Sequence, residues 1–353
     1  MNWRLTPLFA ALLLTAATTL QAQTPAPPQT SENNEELRAG LKRFPEADTN
    51  KDGILTLEEA HAFIAKQKAA GEAAKSNGIK PSMVDVPYGP HARNVLDFWV
   101  SKSSKPAPLV IFIHGGGFRA GSKESSRTDP KLAEMLKSGM ACAAINYRFL
   151  DSAPVQTILM DCAHAVQFLR SKAPDWNINK TRIAAVGGSA GAGTSLWLAT
   201  HEDIANPNSS NPVLRESSRI CCAALFSTQA TYDVTKWESF LGTPEKSFWT
   251  EGEVPLFYGM KTLADLKSPE GSRILHECDM LAWISKDSAP LFMDSSQDVP
   301  KPTNRGEWLH TTQHARTVKK QFQDLGVECV LVQDETEPKP TVGDFLRKHL
   351  AGK

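Results

Sequence analysis

The sequence carries no surplus of charge. Its 39 Lys and Arg are balanced by 39 Asp and Glu, a formal net charge of zero. A nucleic acid or an anionic membrane selects a basic surface, so neither is expected as a partner. The chain also has no apolar run long enough to span a bilayer. Its most apolar stretch, residues 8–20, follows Met1-Asn2-Trp3-Arg4 and precedes Gln21-Ala22-Gln23. A short positive region, a short apolar run and a small-residue cleavage site form the pattern of a secretory signal peptide. Residues 1–22 are therefore expected to be removed, leaving an exported chain, periplasmic or secreted, with no membrane span. No Cys-x-x-Cys pair occurs among the six cysteines, which removes the usual zinc signature. Export permits disulfides. Yet Cys142, Cys221, Cys222 and Cys329 sit in apolar, strand-like runs, where cysteine acts as a small core residue. Buried free thiols are expected in preference to a disulfide framework.

What is present falls into segments. Residues 23–34 are rich in Pro, Gln and Ser and read as a linker. Leu37, Leu41 and Phe44 then recur at helical spacing, and residues 60–68 are helical again. Between them lies Asp48-Thr49-Asn50-Lys51-Asp52-Gly53-Ile54-Leu55-Thr56-Leu57-Glu58-Glu59. This stretch matches the calcium loop of an EF-hand. Asp48, Asn50 and Asp52 offer oxygens at loop positions one, three and five, Gly53 supplies the turn, and Ile54 offers its carbonyl. Thr56 fills position nine, and Glu59 closes the loop with a carboxylate at position twelve. Calcium is a hard cation that needs several oxygens around one point, and this spacing supplies them. Only one such loop is visible, so a structural calcium site over residues 35–68 is expected in place of a paired switch.

Residues 69–80 read as a second linker. Beyond them, over residues 81–353, apolar strand-like runs alternate with helical patterns. Strands are expected at 83–86, 95–100, 109–113, 141–147, 183–186, 220–226, 291–293 and 328–332. Helices are expected at 130–138, 155–172, 312–325 and 342–350. Leu109-Val110-Ile111-Phe112-Ile113 is apolar throughout, as a strand covered on both faces must be. The alternation predicts a mostly parallel sheet with helices on both faces. Residues 232–288 break it. They are rich in aromatic and turn residues and read as an insertion over the C-terminal edge of the sheet, where such folds bind ligands.

Two glycine motifs carry chemistry. Gly187-Gly188-Ser189-Ala190-Gly191 follows the strand-like Ile183-Ala184-Ala185-Val186 and opens an apolar helix. A serine on that sharp turn is lifted clear of the sheet, where it can act as a nucleophile. His114-Gly115-Gly116-Gly117-Phe118 directly follows the strongest strand. Two backbone N–H groups of this loop, with that of Ala190, would form an oxyanion hole. A phosphate loop is the rival for this glycine run, but Ser122 stands where its lysine belongs.

These motifs, with Asn146-Tyr147-Arg148, Asp161, Ala165 and Leu169-Arg170 between them, make residues 83–350 resemble an α/β-hydrolase of the hormone-sensitive-lipase and feruloyl-esterase-like carboxylesterase group. The resemblance implies hydrolysis of small or polysaccharide-linked carboxyl esters through a Ser-acid-His triad, with no catalytic cofactor. Carried over, Ser189 is the nucleophile and Gly116, Gly117 and Ala190 are the oxyanion donors. Asp298, in the loop after the strand at 291–293, is the acid, with Asp294 the fallback. The resemblance places the histidine after the last strand, but residues 332–343 contain none, and His349 falls inside the final helix. His310 or His314, which follow the acid loop, are the remaining candidates for the base. Losing the base of a serine hydrolase costs about a million-fold in turnover. The expectation is therefore a serine carboxylesterase-like hydrolase that is either much weakened or works through a relocated base. The alternatives are an impaired hydrolase-fold binding protein and a calcium-dependent surface or assembly module.

Overall fold

The computed structural model describes residues 29–244, 247–249, 252–295, 297–334 and 339–351. The signal-peptide expectation, residues 1–22, lies outside them. The chain divides into two compact units, Met1–Ala73 and Ala74–Lys353.

In the first unit, helix α1 (Glu35–Arg43) starts at Asn34, whose side chain accepts from the N–H groups of Glu36 and Leu37. The loop that follows leads into α2 (Leu57–Asn77). Residues 69–80 are expected to form a linker, whereas the helix runs through to Asn77. Its alanine-rich stretch lacks an apolar stripe, but alanine has the strongest intrinsic helix preference and sustains the helix. Leu37, Ala47, Leu55 and Ala60 form a small core, with Leu41, Phe44, Leu57 and Phe63 packed against it. Part of the expected 23–34 linker is structured. Thr30 forms an antiparallel bridge with Thr56. Ser31 N–H donates to the Leu55 carbonyl at 2.8 Å, and its hydroxyl accepts from the Leu55 N–H at 3.0 Å.

The second unit is built on one sheet of eight strands: β1 (Met83–Pro87), β2 (Val95–Trp99), β3 (Ala107–Ile113), β4 (Ala141–Ile145), β5 (Ile178–Gly188), β6 (Cys222–Phe226), β7 (Leu291–Asp294) and β8 (Cys329–Leu331). They lie in the order β1-β2-β4-β3-β5-β6-β7-β8. Pairings β1–β2 and β2–β4 are antiparallel, and all others are parallel. Every expected strand is present. Helices α3 (Pro130–Lys137), α4 (Val155–Ser171) and α5 (Ala190–Thr200) connect the central strands. Helices α6 (Glu238–Leu241), α7 (Glu253–Phe257), α8 (Pro269–Glu277) and α9 (Met280–Trp283) lie in the insertion. After β7 come α10 (Arg305–His310) and α11 (Thr312–Asp324), and α12 (Val342–Leu350) ends the fold.

Alternate residues of β3 enter two cores. Leu109, Ile111 and Ile113 join side chains of α4, α5 and α11, whereas Val110 and Phe112 join those of α3 and α12. A strand covered on both faces has no place for polar side chains, which explains its continuous apolar run. Helix α5 is buried on every side. Its three hydroxyl residues stay satisfied by bonding back one turn: Thr194 to the Ala190 carbonyl, Ser195 to that of Gly191 and Thr200 to that of Leu196. No two of the six cysteines are joined in a disulfide.

Candidate active site

Strand β5 delivers Ser189 to the start of α5 with backbone angles φ 51° and ψ −121°. A non-glycine residue held there costs about 1–3 kcal/mol and must be fixed by its surroundings. Three bonds fix it. Ser189 N–H donates to the Phe226 carbonyl at 2.8 Å, and its own carbonyl accepts from Ala192 and Gly193 N–H at 2.8 and 3.0 Å. Close approach explains the glycine that follows: a Cβ at Gly191 would lie 2.0 Å from the Ile113 carbonyl oxygen.

The glycine loop after β3 lies beside this turn, since a Cβ on Gly115 would come within 3.4 Å of the Ser189 Cβ. Gly116 adopts φ +107°, and a side chain there would meet the Ala120 carbonyl at 2.3 Å. The N–H groups of Gly116, Gly117 and Ala190 have no hydrogen-bond partner among the described residues. His114 anchors the loop. Its ring stacks on Tyr147 with 4.2 Å between centroids, and its Nδ1 lies 2.7 Å from the Gly115 carbonyl. Burial pushes its pKa down to about 3, so it stays neutral. Tyr147 donates its hydroxyl to the His114 carbonyl at 2.5 Å, and Arg93 donates to the carbonyls of Tyr147 and Gly121. Arg93 also lies over the Phe149 ring at 3.7 Å and 3.5 Å from His114 Nε2, and no sequence motif marks these contacts.

His310 is the histidine that reaches the serine. Its Nε2 lies 3.4 Å from Ser189 Oγ. On the far side of the ring, Nδ1 lies 3.3 Å from the Ser227 carbonyl and 3.3 Å from the Gln229 amide nitrogen. Burial lowers the His310 pKa below the ordinary histidine value, and the bond to the Ser227 carbonyl partly opposes this. His314, the other candidate, is buried between Trp237 and Phe240. Its ring nitrogens face the Ala230 N–H and the Trp308 carbonyl at 3.2 and 3.0 Å, and burial takes its pKa to about 4. It packs the core and does not touch Ser189.

The acid expectation is not met by the geometry. Asp298 is exposed and pairs with Arg316 at 2.7 Å. Asp294 accepts from the Gln333 amide at 2.8 Å. Neither carboxylate bonds His310. The reason is local: Arg316 on α11 offers Asp298 a bidentate partner while also reaching Asp334. The place beside Nδ1 is taken by Ser227 and Gln229, two residues that sequence reasoning missed. Their signal was positional, since both follow directly on the C-terminal end of a parallel strand, β6.

The insertion packs against both motifs. Tyr232 donates its hydroxyl to the Ala190 carbonyl at 2.7 Å, and its ring meets Phe118 edge-on at 5.2 Å. Glu253, buried at the start of α7, accepts from both ends of the Arg305 guanidinium at 2.8 and 2.5 Å. Arg119, on the glycine loop, stands 3.7 Å from the same carboxylate. Phe248, Trp249 and Trp308 line a cleft of about 170 Å³ together with Val234, Thr235 and Glu238. Trp308 is two residues from His310 on α10.

In the first unit, the loop 48–59 has the turn expected of it. Gly53, at φ +84°, donates its N–H to Asp48 Oδ2 at 2.8 Å. Asp48 is 8% exposed, and its other oxygen, Oδ1, is buried without a partner. Glu59 accepts from the N–H of Thr56 at 3.1 Å and from the Thr49 and Thr56 hydroxyls at 3.0 and 2.8 Å. These bonds, led by that from the Thr56 N–H, hold its pKa at about 2. Among the described residues, no three His, Cys, Asp or Glu side chains yet converge on one point. The donor chemistry nevertheless suits a hard cation, because Asp48 Oδ1 is a buried acceptor left open.

Comparison with known proteins bears on the second unit. The curated relatives include Esterase LipQ of Mycobacterium tuberculosis, 28% identical over 162 residues, which are 44% of this chain and 37% of the relative. A probable isoprenylcysteine alpha-carbonyl methylesterase of Arabidopsis thaliana is 27% identical over 135 residues, 38% of this chain and 28% of the relative. The matched stretches thus span less than two fifths of these relatives' length. Among solved structures, a truncated carbohydrate esterase from gut microbiota superposes with a TM-score of 0.60 at 15% identity, covering 78% of this chain and 99% of the other. An acetyl ester-xyloside bifunctional hydrolase from Caldicellulosiruptor lactoaceticus gives 0.51 at 18% identity, over 72% and 85%. At such identities these two share the fold with this chain. The BD-FAE family profile matches residues 96–311, a span that begins in β2 and takes in the glycine loop, the serine turn and His310. With more than half of its length covered by that match, the chain belongs to the BD-FAE family.

Proposed function

We propose that the chain is an exported serine carboxylesterase that cleaves small or carbohydrate-linked acyl esters, with Ser189 as nucleophile and His310 as base. The observation that carries this reading is the 3.4 Å approach of His310 Nε2 to Ser189 Oγ. Catalytic hydrogen bonds are often long before substrate binds and tighten afterwards. His310 Nε2 takes the Ser189 hydroxyl proton as Oγ attacks the acyl carbon. The carbonyl oxygen gains the negative charge and lies against the N–H groups of Gly116, Gly117 and Ala190. His310 then returns the proton to the leaving alcohol, which leaves an acyl ester on Ser189. Water, deprotonated by the same Nε2, releases the acid and regenerates the serine. For this, Nε2 must be bare, so Nδ1 must hold its proton and donate it to the Ser227 carbonyl. The aromatic insertion lines the approach for the acyl or alcohol part, and export rests on the pattern of residues 1–22.

Among the described residues no carboxylate bonds His310, which favours a second reading, a binding protein on a hydrolase scaffold. Hydrolysis of p-nitrophenyl acetate by the purified chain, set beside Ser189→Ala, separates the two. Equal rates would sink the enzyme reading. The first unit would hold calcium through Asp48, Asn50, Asp52, the Ile54 carbonyl, Thr56 and Glu59. The ion would brace the loop and takes no part in ester chemistry.

A further inference from the structure

Gln229 stands beside His310 Nδ1, where a Ser-acid-His triad seats its carboxylate. It is 5% exposed, and its amide nitrogen lies 3.3 Å from His310 Nδ1. The same nitrogen lies 2.8 Å from the Leu309 carbonyl, a good N–H···O bond that fixes which end of the amide faces the imidazole. One hydrogen goes to Leu309. The second has two acceptors in range, His310 Nδ1 at 3.3 Å and the Ser227 carbonyl at 3.5 Å. These outcomes exclude each other in protonation. If Nδ1 carries the proton, it and the amide hydrogen share the two lone pairs of the Ser227 carbonyl, and the two N–H groups then stand 3.3 Å apart, donor against donor. If Nδ1 is bare, it accepts the shorter amide contact, and the proton moves to Nε2, facing Ser189.

We infer that Gln229 is the positioning residue that sets the His310 tautomer, and that it holds the resting ring with its proton on Nε2, the form that cannot accept from Ser189. The inference rests on the reading of Ser189 and His310 as the reacting pair. It makes turnover proceed from a minor tautomer. Replacing a triad carboxylate by its amide keeps the geometry and costs about 10⁴-fold in serine proteases, through the wrong tautomer. This chain carries the amide natively. The inverse substitution, Gln229→Glu, puts an acceptor on Nδ1, moves the proton there and bares Nε2.

The test uses the full chain with ¹⁵N-labelled histidine. The His310 imidazole resonances are identified by their loss in His310→Gln. The wild type should show a protonated Nε2 and a bare Nδ1, and Gln229→Glu should reverse that pattern. A carboxylate oxygen set against the Leu309 carbonyl is repelled and threatens folding, so Gln229→Met serves as the second variant. It removes the amide hydrogen, leaves the Ser227 carbonyl alone beside Nδ1, and should shift the proton to Nδ1 as well. In kinetics on p-nitrophenyl acetate, Gln229→Glu should raise kcat by about 100-fold or more, within the 10⁴-fold span of that substitution. The added Ser189→Ala change should abolish the gain. A wild type with Nδ1 protonated, or a tautomer unmoved in both variants, overturns the inference. A tautomer that reverses with no Ser189-dependent turnover in any form supports the role of Gln229 and overturns the esterase reading instead.

Discussion

Arg305 closes a bidentate ion pair on Glu253 at 2.8 and 2.5 Å. It thereby ties the insertion to the short helix that ends in His310. The same carboxylate stands near Arg119 of the glycine loop, so one buried acid touches elements that carry both the base and the oxyanion donors. Removing one partner of a buried pair typically costs about 3–5 kcal/mol, because the other is left without compensation. Glu253 is 9% exposed and Arg305 about a quarter exposed, which places this pair at the lower end. Glu253→Gln should lower stability by about 2–3 kcal/mol in urea unfolding. It should also reduce kcat for aryl esters about ten-fold, since 1.4 kcal/mol of misplacement is a factor of ten. An unchanged kcat would show that the clamp serves the fold alone.

The pH profile follows from His310. Burial lowers its pKa below the usual 6.5, and only the neutral ring can accept a proton. Activity should therefore be constant near neutrality and fall as pH drops through that lowered value. A pH–kcat/KM profile with its acidic limb above 7 contradicts the assignment, and His310→Gln should remove the Ser189-dependent rate.

Acid should weaken the fold through the buried histidines. The pKa of His314 is brought down to about 4 and that of His114 to about 3, both by burial. Between pH 6.5 and 4 the unfolded chain binds more protons at these rings than the folded one, so stability falls as pH falls across that window. Above 6.5 both states are neutral there and these groups add no slope. Urea midpoints measured from pH 7 to 4 should decline, and His314→Gln should flatten part of the decline.

Lys123 offers a test of the core. Its amine is fully buried, 2.7 Å from the buried Asp97, which also takes Arg127. Lys123→Met strands part of the charge on Asp97 and should cost about 3 kcal/mol in chemical denaturation. A cost under 1 kcal/mol would mean that Arg127 alone compensates Asp97.

Calcium binding can be followed apart from activity. Titration calorimetry should detect calcium binding to the full chain, and Glu59→Gln should weaken it at least ten-fold through loss of a bidentate ligand. An affinity equal in both proteins removes the loop from the calcium proposal.

The sheet was legible because its strands are long apolar runs whose only reasonable home is a doubly covered layer, as Leu109 to Ile113 show. The serine turn and glycine loop were legible because backbone geometry demands glycine at fixed offsets. The acid was not. Asp298 stands at the position the resemblance assigns, yet a guanidinium on α11 claims it, and nothing in the local sequence announces Arg316 as its partner. The base was narrowed to two histidines four residues apart. Which of them faces Ser189 depends on the break between α10 and α11, where Thr311 caps the second helix and leaves His310 at the end of the first. Gln229 was invisible because an amide does not titrate and so does not attract attention as a catalytic group.

The pairing of Ser31 with Leu55 bears on assembly. An extended loop segment with bare N–H and C=O groups is a template on which a second chain can add a strand. Here both groups of Leu55 are met from within the same polypeptide, by the hydroxyl and the N–H of Ser31. The lone loop is thus closed at Leu55 by its own upstream segment. A second copy has no open backbone groups to join at that residue, and the unit reaches its pairing without dimerising there.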